Sequence, residues 1–495
     1  MASLSESVDI VWLRDDFRLD DQPSIHAAGN RPALFVCVHD DSGGGARPPG
    51  GAAKWRLAQS LTALESELSA RGGRLDVIKG EAQATILALA AAAKAGRVLW
   101  SRRYEGGAKA LDARVETALK ARGLETMTFN GALMREPAEL AKPDGAPVGI
   151  FKAFLHRHRA LGPLPAPTPA PKHLGAAPWP HEAPKRVSIE ALKLRPTKPD
   201  WSGELSLGES PGEKGALATL KTFVAEGLKD YADERDILAD GAASRLSANL
   251  RFGEISPRRI AHTIETAAGE EHGLTGAAEK YLAELTWRDF ATALLDAHPD
   301  LATRALRPEF ERFPWRHDED GFDAWAHGHT GYPIVDAGMR QLWRTGYLPN
   351  RARLIVASFL VKHLLIDWRH GETWFWDTLI DADPANNPLN WQWVAGSGVD
   401  SAPYFRIFNP VLQAEKFDPD GAYVRQWAPE LEGLEAPAIH SPWQASSDAL
   451  ASAGVVLGKT YPRPIVDHGQ ARARALDAFA KMRAAEQARR LRPSR

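Results

Sequence analysis

Two short segments of this 495-residue chain bring chemically useful side chains close together. Ala243-Ser244-Arg245-Leu246-Ser247 places two hydroxyls and a guanidinium within one turn, just after Gly241. Hydroxyls, the backbone N–H groups of a helix start and an arginine together can cradle a diphosphate. Taken alone, serines before a helix are more often simple caps. The second segment runs from Asp381 to Trp393 as DADPANNPLNWQW, with two carboxylates, three Asn side chains and two indoles between prolines. A buried cluster of amides and carboxylates needs a partner for every donor and acceptor, and a polar heterocycle such as a flavin ring supplies them. An elaborate turn with Asx caps is the competing reading. Upstream, Asn350-Arg351-Ala352-Arg353 precedes an apolar helix, and Arg353 is a candidate ion-pair partner for one of those carboxylates.

Other chemistries find little support. His156-x-His158 and His327-x-His329 lack a third ligand at zinc-like spacing, so they read as surface or helix-face histidines and no metal is expected. No G-x-S-x-G nucleophile motif occurs. No G-x-G-x-x-G follows the first strand, and no P-loop is present; Gly43-Gly44-Gly45 lacks the spacing. The single cysteine, Cys37, excludes a disulfide framework and any cysteine-held iron–sulfur cluster.

The elements that must position these segments fall into two kinds. Val8–Leu13, Ala33–Val38, Leu75–Ile78, Arg97–Trp100 and Thr126–Phe129 read as strands buried on both faces. Between them Leu57, Leu61, Leu64 and Leu68, then Leu111, Val115 and Leu119, form helical stripes. This alternation predicts a doubly wound parallel α/β domain over residues 1–135. Eight of the 22 residues from Pro163 to Pro184 are proline, which marks a surface linker within 136–211. From Gly212 to about residue 485 the patterns are helical, and residues 486–495 read as a basic tail. The last 25 residues hold eight Lys/Arg against Asp477 and Glu486, the pattern of a solvated helix face or frayed end.

Composition narrows the class. With 44% hydrophobic and 25% charged residues the chain is globular, and no apolar run is long enough to cross a bilayer. The N-terminus carries no basic segment followed by an apolar core, so a cytoplasmic protein is expected. A net charge of −2 excludes a globally basic DNA-coating protein but permits a local basic patch. Tryptophan is over-used: 11 of the 16 lie between Trp287 and Trp443. Indoles fill cores, but they also stack on bases and line cofactor cavities.

Taken in order along the chain, these segments resemble the photolyase/cryptochrome flavoproteins. The resemblance rests on Trp12-x-Arg14-x-Asp16-x-Arg18-x-x-Asp21, on Ser244–Ser247, and on Glu284-Leu-Thr-Trp287-Arg288-Asp289-Phe290. It continues through Thr330-Gly-Tyr-Pro-Ile-Val-Asp336, Trp391-Gln392-Trp393, Phe405-Arg406-Ile-Phe-Asn-Pro410 and Glu415-Lys416-Phe-Asp418. It covers nearly the whole chain and is similar to the bacterial cyclobutane pyrimidine dimer enzymes, with the class III group among the candidates.

The resemblance implies a U-shaped FAD in the helical domain, lined by Tyr231, Ala243, Ser244, Arg245, Leu246, Ser247, Asn350, Arg353, Asp381, Ala382, Asp383 and Asn387. Asn387 would face the redox-active ring nitrogen, a neutral amide compatible with the reduced flavin anion. Glu284 would hydrogen-bond the dimer, and Trp287 and Trp393 would wall it after extrusion from the duplex. Arg235, Arg351, Arg406 and Gln413 would contact the DNA backbone. Trp391, Trp368 and Trp315 fall where the family's electron-transfer triad lies, although ordinary core indoles would account for each one singly. Leu354 stands where (6–4) photolyases carry a catalytic histidine, which argues against that repair.

The implied activity is light-driven DNA repair, in which excited FADH⁻ passes an electron to the dimer, the ring splits and the electron returns. UV-damaged DNA is the expected partner, with a monomer, no obligate protein partner, and location at the nucleoid when bound. A cryptochrome photoreceptor without repair is the alternative, disfavoured by Glu284, Trp287, Trp393, Asn387 and the short C-terminal tail. The antenna is expected to be 5,10-methenyltetrahydrofolate. Some relatives hold it with an Asn-Glu pair after the fourth strand, where this chain reads Gly106-Gly107-Ala108-Lys109.

Overall fold

The computed structural model describes residues 7–197, 200–205, 208, 210–239, 241–400 and 405–490. Five strands, β1 (Asp9–Trp12), β2 (Ala33–His39), β3 (Leu75–Lys79), β4 (Arg97–Ser101) and β5 (Glu125–Phe129), form one parallel sheet in the order β3-β2-β1-β4-β5. The crossovers contain α1 (Pro23–Ala28), α2 (Gly51–Ser69), α3 (Ala82–Ala92) and α4 (Gly106–Lys120). The inner strands alternate their side chains between two apolar layers. Edge strand β5 is instead exposed or half-buried along its length, not buried on both faces as its apolar run suggested, because only one side of it is covered by a neighbouring strand. Ile10, Trp12, Val98 and Trp100 pack with Ile86, Leu89, Leu111, Val115 and Leu119, while Val11, Leu13 and Phe35 pack with Leu61, Leu64 and Leu68. Cys37 lies in the second layer, where burial pushes its thiol up to about 12 and leaves it inert.

After the sheet come α5 (Pro137–Leu140), α6 (Phe151–Ala160), α7 (Gly212–Thr222), α8 (Tyr231–Glu234), α9 (Ser247–Arg251), α10 (Pro257–Glu270) and α11 (Thr275–Ala297). Then follow α12 (Glu319–Ala326), α13 (Pro333–Thr345), α14 (Asn350–Ser358), α15 (Trp368–Thr378), α16 (Asn386–Ala395), α17 (Pro410–Phe417), α18 (Ala422–Trp427), α19 (Ser447–Ser452) and α20 (His468–Arg490). By contacts the chain divides into a first unit of residues 1–232, 244–299 and 380–384 and a second of 233–243, 300–379 and 385–495.

In the first unit the opening-strand signature does structural work. Arg18 is buried and donates to the carbonyls of Gly253 and Gly131 at 2.9 and 2.8 Å. Arg258 pairs with Asp21 at 3.0 Å, and Arg259 with Asp20 at 2.6 Å. Arg56 and Glu254, both wholly buried, pair at 2.5 Å. The proline-rich stretch does more than span a gap. Ala176 bridges to Ala33 and Arg186 to Ile78, while Leu174, Ile189, Leu192 and Leu194 enter the sheet's core. Prolines supply extended backbone, and the apolar residues between and after them fasten it down.

In the second unit the expected motifs also organise backbone. Asp336 is fully buried and accepts from Thr330 N at 2.7 Å, Thr330 Oγ1 at 2.6 Å, Gly331 N at 3.0 Å and Tyr461 at 2.6 Å. Asp418 accepts from the N–H groups of Tyr423 and Val424 at 2.8 and 3.1 Å, capping α18. The basic C-terminal stretch forms α20, whose Ala471, Ala475, Ala478 and Met482 are buried. The tail residues 491–495, with Arg492 and Arg495, lie outside the described residues.

Candidate active site

The first unit carries the candidate phosphate cradle. Ser244 Oγ accepts a hydrogen bond from Tyr281 at 2.9 Å, and burial pushes that phenol up to about 12, so it remains a donor. Tyr231 is buried edge-on to Tyr281 at 5.0 Å. Arg245 adopts φ +55°, a left-handed turn that L side chains rarely take. This turn ends the irregular stretch before Ser247 opens α9, while buried Leu246 anchors it. Ala243 donates its N–H to Gly241 O at 2.8 Å, within the second unit.

Asp381 and Ala382 are buried in the first unit. The Ala382 carbonyl accepts from Arg251 Nε at 2.7 Å. Burial works to lower Arg251, but Asp15, 3.1 Å away, and then Asp383 outweigh it and raise this guanidinium above its ordinary value. The sequence reading missed Arg251. An arginine at the end of a five-residue helix carries no signal until the fold sets it beside the 381–383 segment.

Glu284 and Trp287 lie three residues apart on α11, on one face, and both are half-exposed. Lys280 approaches Glu284 at 3.4 Å. Next on the helix, Asp289 accepts from the N–H groups of Met134 and Arg135 at 3.3 and 3.0 Å. His158, expected as a surface or helix-face histidine, lies on α6, buried and facing Asp289 at 3.5 Å. His327 is exposed beside Asp323 at 3.1 Å. Among the described residues no group of three or more His, Cys, Asp or Glu is arranged to hold a metal ion.

In the second unit α16 concentrates the expected chemistry. Asn387 is buried, and its amide nitrogen donates to the backbone carbonyl and to Oε1 of Glu372 at 3.0 and 2.9 Å. Both amide hydrogens are thereby used, so the free end of Asn387 is its carbonyl oxygen. Trp391 is buried edge-on to Phe375 at 5.0 Å and to Trp325 at 6.1 Å. Gln392 donates to the carbonyls of Leu301 and Arg304 at 2.7 and 2.9 Å, which fixes the rotation of α16 and leaves Trp393 half-exposed. Trp368 is buried at the start of α15 with Arg369 at 4.9 Å, and Trp315 lies 4.3 Å from Phe313.

Asn350 is exposed at the start of α14, and Arg353 Nε donates to Leu348 O at 2.7 Å. Arg351 is ion-paired with Asp236, which also lies 3.9 Å from Arg235. Two expected DNA contacts thus share one carboxylate, which the sequence reading passed over. Arg406 is exposed and Gln413 half-buried on α17. A cavity of about 750 Å³ opens beside Trp393 and Arg406, with Phe405, Arg307 and buried Lys362 in its wall. Lys362 Nζ donates to Ala395 O at 2.8 Å and sits 3.0 Å from the Phe405 ring. Burial holds its amine well below the ordinary lysine value.

Comparison with known proteins gives this geometry its context. Residues 9–172 match the family model described as DNA photolyase, and residues 281–481 match the FAD binding domain of DNA photolyase. The chain is 47% identical to a deoxyribodipyrimidine photo-lyase of Agrobacterium fabrum, over 97% of this chain and 99% of that one. It is 36% identical to cryptochrome-1 of Arabidopsis thaliana, over 96% of this chain and 70% of that one. The crystal structure of a bacterial class III photolyase from Agrobacterium tumefaciens superposes with a TM-score of 0.92 at 46% identity, covering 98% of this chain and 99% of that one. The chain belongs to the DNA photolyase/cryptochrome family. Within it, the chain is an enzyme of the deoxyribodipyrimidine photo-lyase type, acting in DNA repair.

Proposed function

We propose that the chain splits cyclobutane pyrimidine dimers in light, with FAD held by Tyr231, Ala243 to Ser247, Asn350, Arg353, Asp381 to Asp383 and Asn387. The donor set fits such a group. Hydroxyls, an arginine and a turn of backbone suit a diphosphate, and the Asn387 carbonyl suits a ring N–H. FAD supplies the light-driven electron when bound and reduced; the residues supply position and electrostatics. Glu284 would donate or accept at the dimer, Trp287 and Trp393 would hold its rings, and Arg235, Arg351, Arg406 and Gln413 would hold the backbone around it. Trp391, Trp368 and Trp315 would serve re-reduction of the cofactor.

The observation that carries this reading is Asn387, a buried neutral amide whose nitrogen is held by Glu372. The antenna would be 5,10-methenyltetrahydrofolate. Near the carboxyl edge of the sheet at the β1–β4 switch the side chains already engage one another. Arg14 stacks 3.9 Å over Trp12 and pairs with Asp112 at 2.6 Å, and Gly45 meets Gly107 so closely that a Cβ at Gly45 would lie 2.4 Å from the Gly107 carbonyl.

The test is anaerobic illumination of chemically reduced protein with an oligonucleotide carrying one thymine dimer. Thymine absorbance should return in light and not in darkness. No recovery by protein that holds reduced FAD would favour the photoreceptor reading instead.

A further inference from the structure

We propose that Phe151 is a positioning residue for Trp287, and through it for telling a dimer from undamaged DNA; this rests on Trp287 being a wall of the dimer pocket. Phe151 opens α6, and its ring lies parallel to the Trp287 indole, with centroids 3.7 Å apart and planes at 9°. Phe290 closes the corner, edge-on to Phe151 at 5.8 Å and to Trp287 at 5.4 Å. Phe154, one turn further along α6, meets Phe290 at 5.2 Å. Phe154 and Phe290 are buried, so the stack is backed by core rather than by solvent. Arg157 donates to Leu140 O of α5 at 3.1 Å, and His158 faces Asp289 of α11 at 3.5 Å, so α6 is tied to both neighbours.

The consequence is one-sided recognition. A half-exposed indole on a helix would otherwise sample several rotamers, and a ligand stacking on it would bear the cost of ordering it. Phe151 occupies one face and Phe290 an edge, leaving the opposite face for a ligand ring in a fixed orientation. A lesion extruded from the duplex meets a surface already set. An intact base gains nothing from it, because it stays stacked in the helix.

The test is binding in the dark of two oligonucleotides of one sequence, with and without a thymine dimer. The proteins are the FAD-loaded wild type, Phe151→Ala, Phe151→Leu, Phe151→Tyr, Trp287→Ala and the double variant Phe151→Ala/Trp287→Ala. Phe151→Ala should reduce the preference for dimer about tenfold through the damaged oligonucleotide alone, as expected from losing an aromatic pair and its ordering. Phe151→Leu, which keeps apolar volume in case Ala unfolds the site, should lose most of the preference too, and Phe151→Tyr should keep it. In the Trp287→Ala background Phe151→Ala should add nothing. Flavin absorbance and photoreduction should be unchanged in the three Phe151 single variants.

Full preference in Phe151→Ala and Phe151→Leu, with loss in Trp287→Ala, overturns the inference alone. An equal Phe151→Ala loss in both backgrounds also overturns it, since Phe151 would then act independently of Trp287. Full preference in Trp287→Ala removes the reading of Trp287 as a wall, and the inference with it.

Discussion

Asn387 gives both hydrogens of its amide to one residue, Glu372, at the backbone carbonyl and at the carboxylate. The carboxylate therefore reads the side chain at position 387 as a donor. Asn387→Asp would set two buried carboxylates against each other, and one would keep a proton with its pKa raised. A raised carboxylate stabilises the fold below the ordinary value near 4 and loses that contribution as pH rises through the shifted value. Asn387→Asp should thus be less stable at pH 8 than at pH 6, by roughly 1–3 kcal/mol relative to wild type. Urea unfolding at the two pH values checks it; parallel behaviour of the two proteins would remove Glu372 from the argument.

Asp236 holds Arg351 and lies near Arg235, so two expected phosphate contacts carry a carboxylate between them. Asp236→Asn should raise affinity for undamaged duplex by a few-fold, in the range of a half-buried surface ion pair. It should also steepen the fall of affinity with salt, because more cationic charge meets phosphate. A salt titration of binding decides this, and unchanged affinity and slope would place both arginines away from DNA.

Gly371 leaves room for Trp391 rather than for an unusual backbone. A Cβ there would lie 2.1 Å from Trp391 Cη2 and 2.7 Å from Leu360 Cδ2. Gly371→Ala should cost at least about 1–3 kcal/mol of stability by overpacking and should slow photoreduction by moving the indole. Adding Trp391→Phe should restore the stability but not the photoreduction. Thermal unfolding and flavin bleaching under light report the two separately.

His363 and His468 meet at 2.9 Å. Burial first, then the charges of His468 and Arg474, hold His363 down to about 3, against an ordinary value near 6.5. Below pH 6.5 the unfolded chain binds a proton here that the folded chain refuses. The contribution is whole above pH 6.5 and shrinks as pH falls toward 3, by about 1.4 kcal/mol per pH unit. Between pH 7 and 5 the wild type should therefore lose about 2 kcal/mol more than His363→Gln. Equal losses would mean His363 titrates normally.

Glu284 sits half-exposed on α11 beside Lys280. Glu284→Ala should lower repair per absorbed photon several-fold, on the scale of one charge-assisted hydrogen bond, with FAD retained. The yield at a fixed photon dose measures this, and an unchanged yield would take Glu284 out of the dimer site.

Much of the sheet was legible because buried parallel strands read as short apolar runs; β1 to β5 start within a residue of the runs seen in the sequence. The candidate site was legible only through motifs, and part of what the motifs mark is architecture. Asp336, Asp418, Arg18 and Gln392 bind backbone, which no spacing rule could separate from Asn387 or Trp393. Residues that act across long sequence distances, such as Phe151, Asp236, Arg251 and Glu372, carried no local signal. Their roles exist only once α6 meets α11, or α15 meets α16. The proline-rich stretch was read for what proline forbids, while Leu174 within it and Ile189 just after it show that this segment also packs.

The buried pairing of Arg56 with Glu254, and of Asp21 with Arg258, bears on how such a chain can be taken apart. A fragment ending anywhere before residue 254 keeps the strands but strands a guanidinium and a carboxylate in an apolar interior, at several kcal/mol each. The sheet is therefore not a detachable cassette. Grafting it onto another helical partner would require transplanting α9 and α10 with it, so the natural seam for recombination runs through charge pairs rather than through the proline-rich stretch.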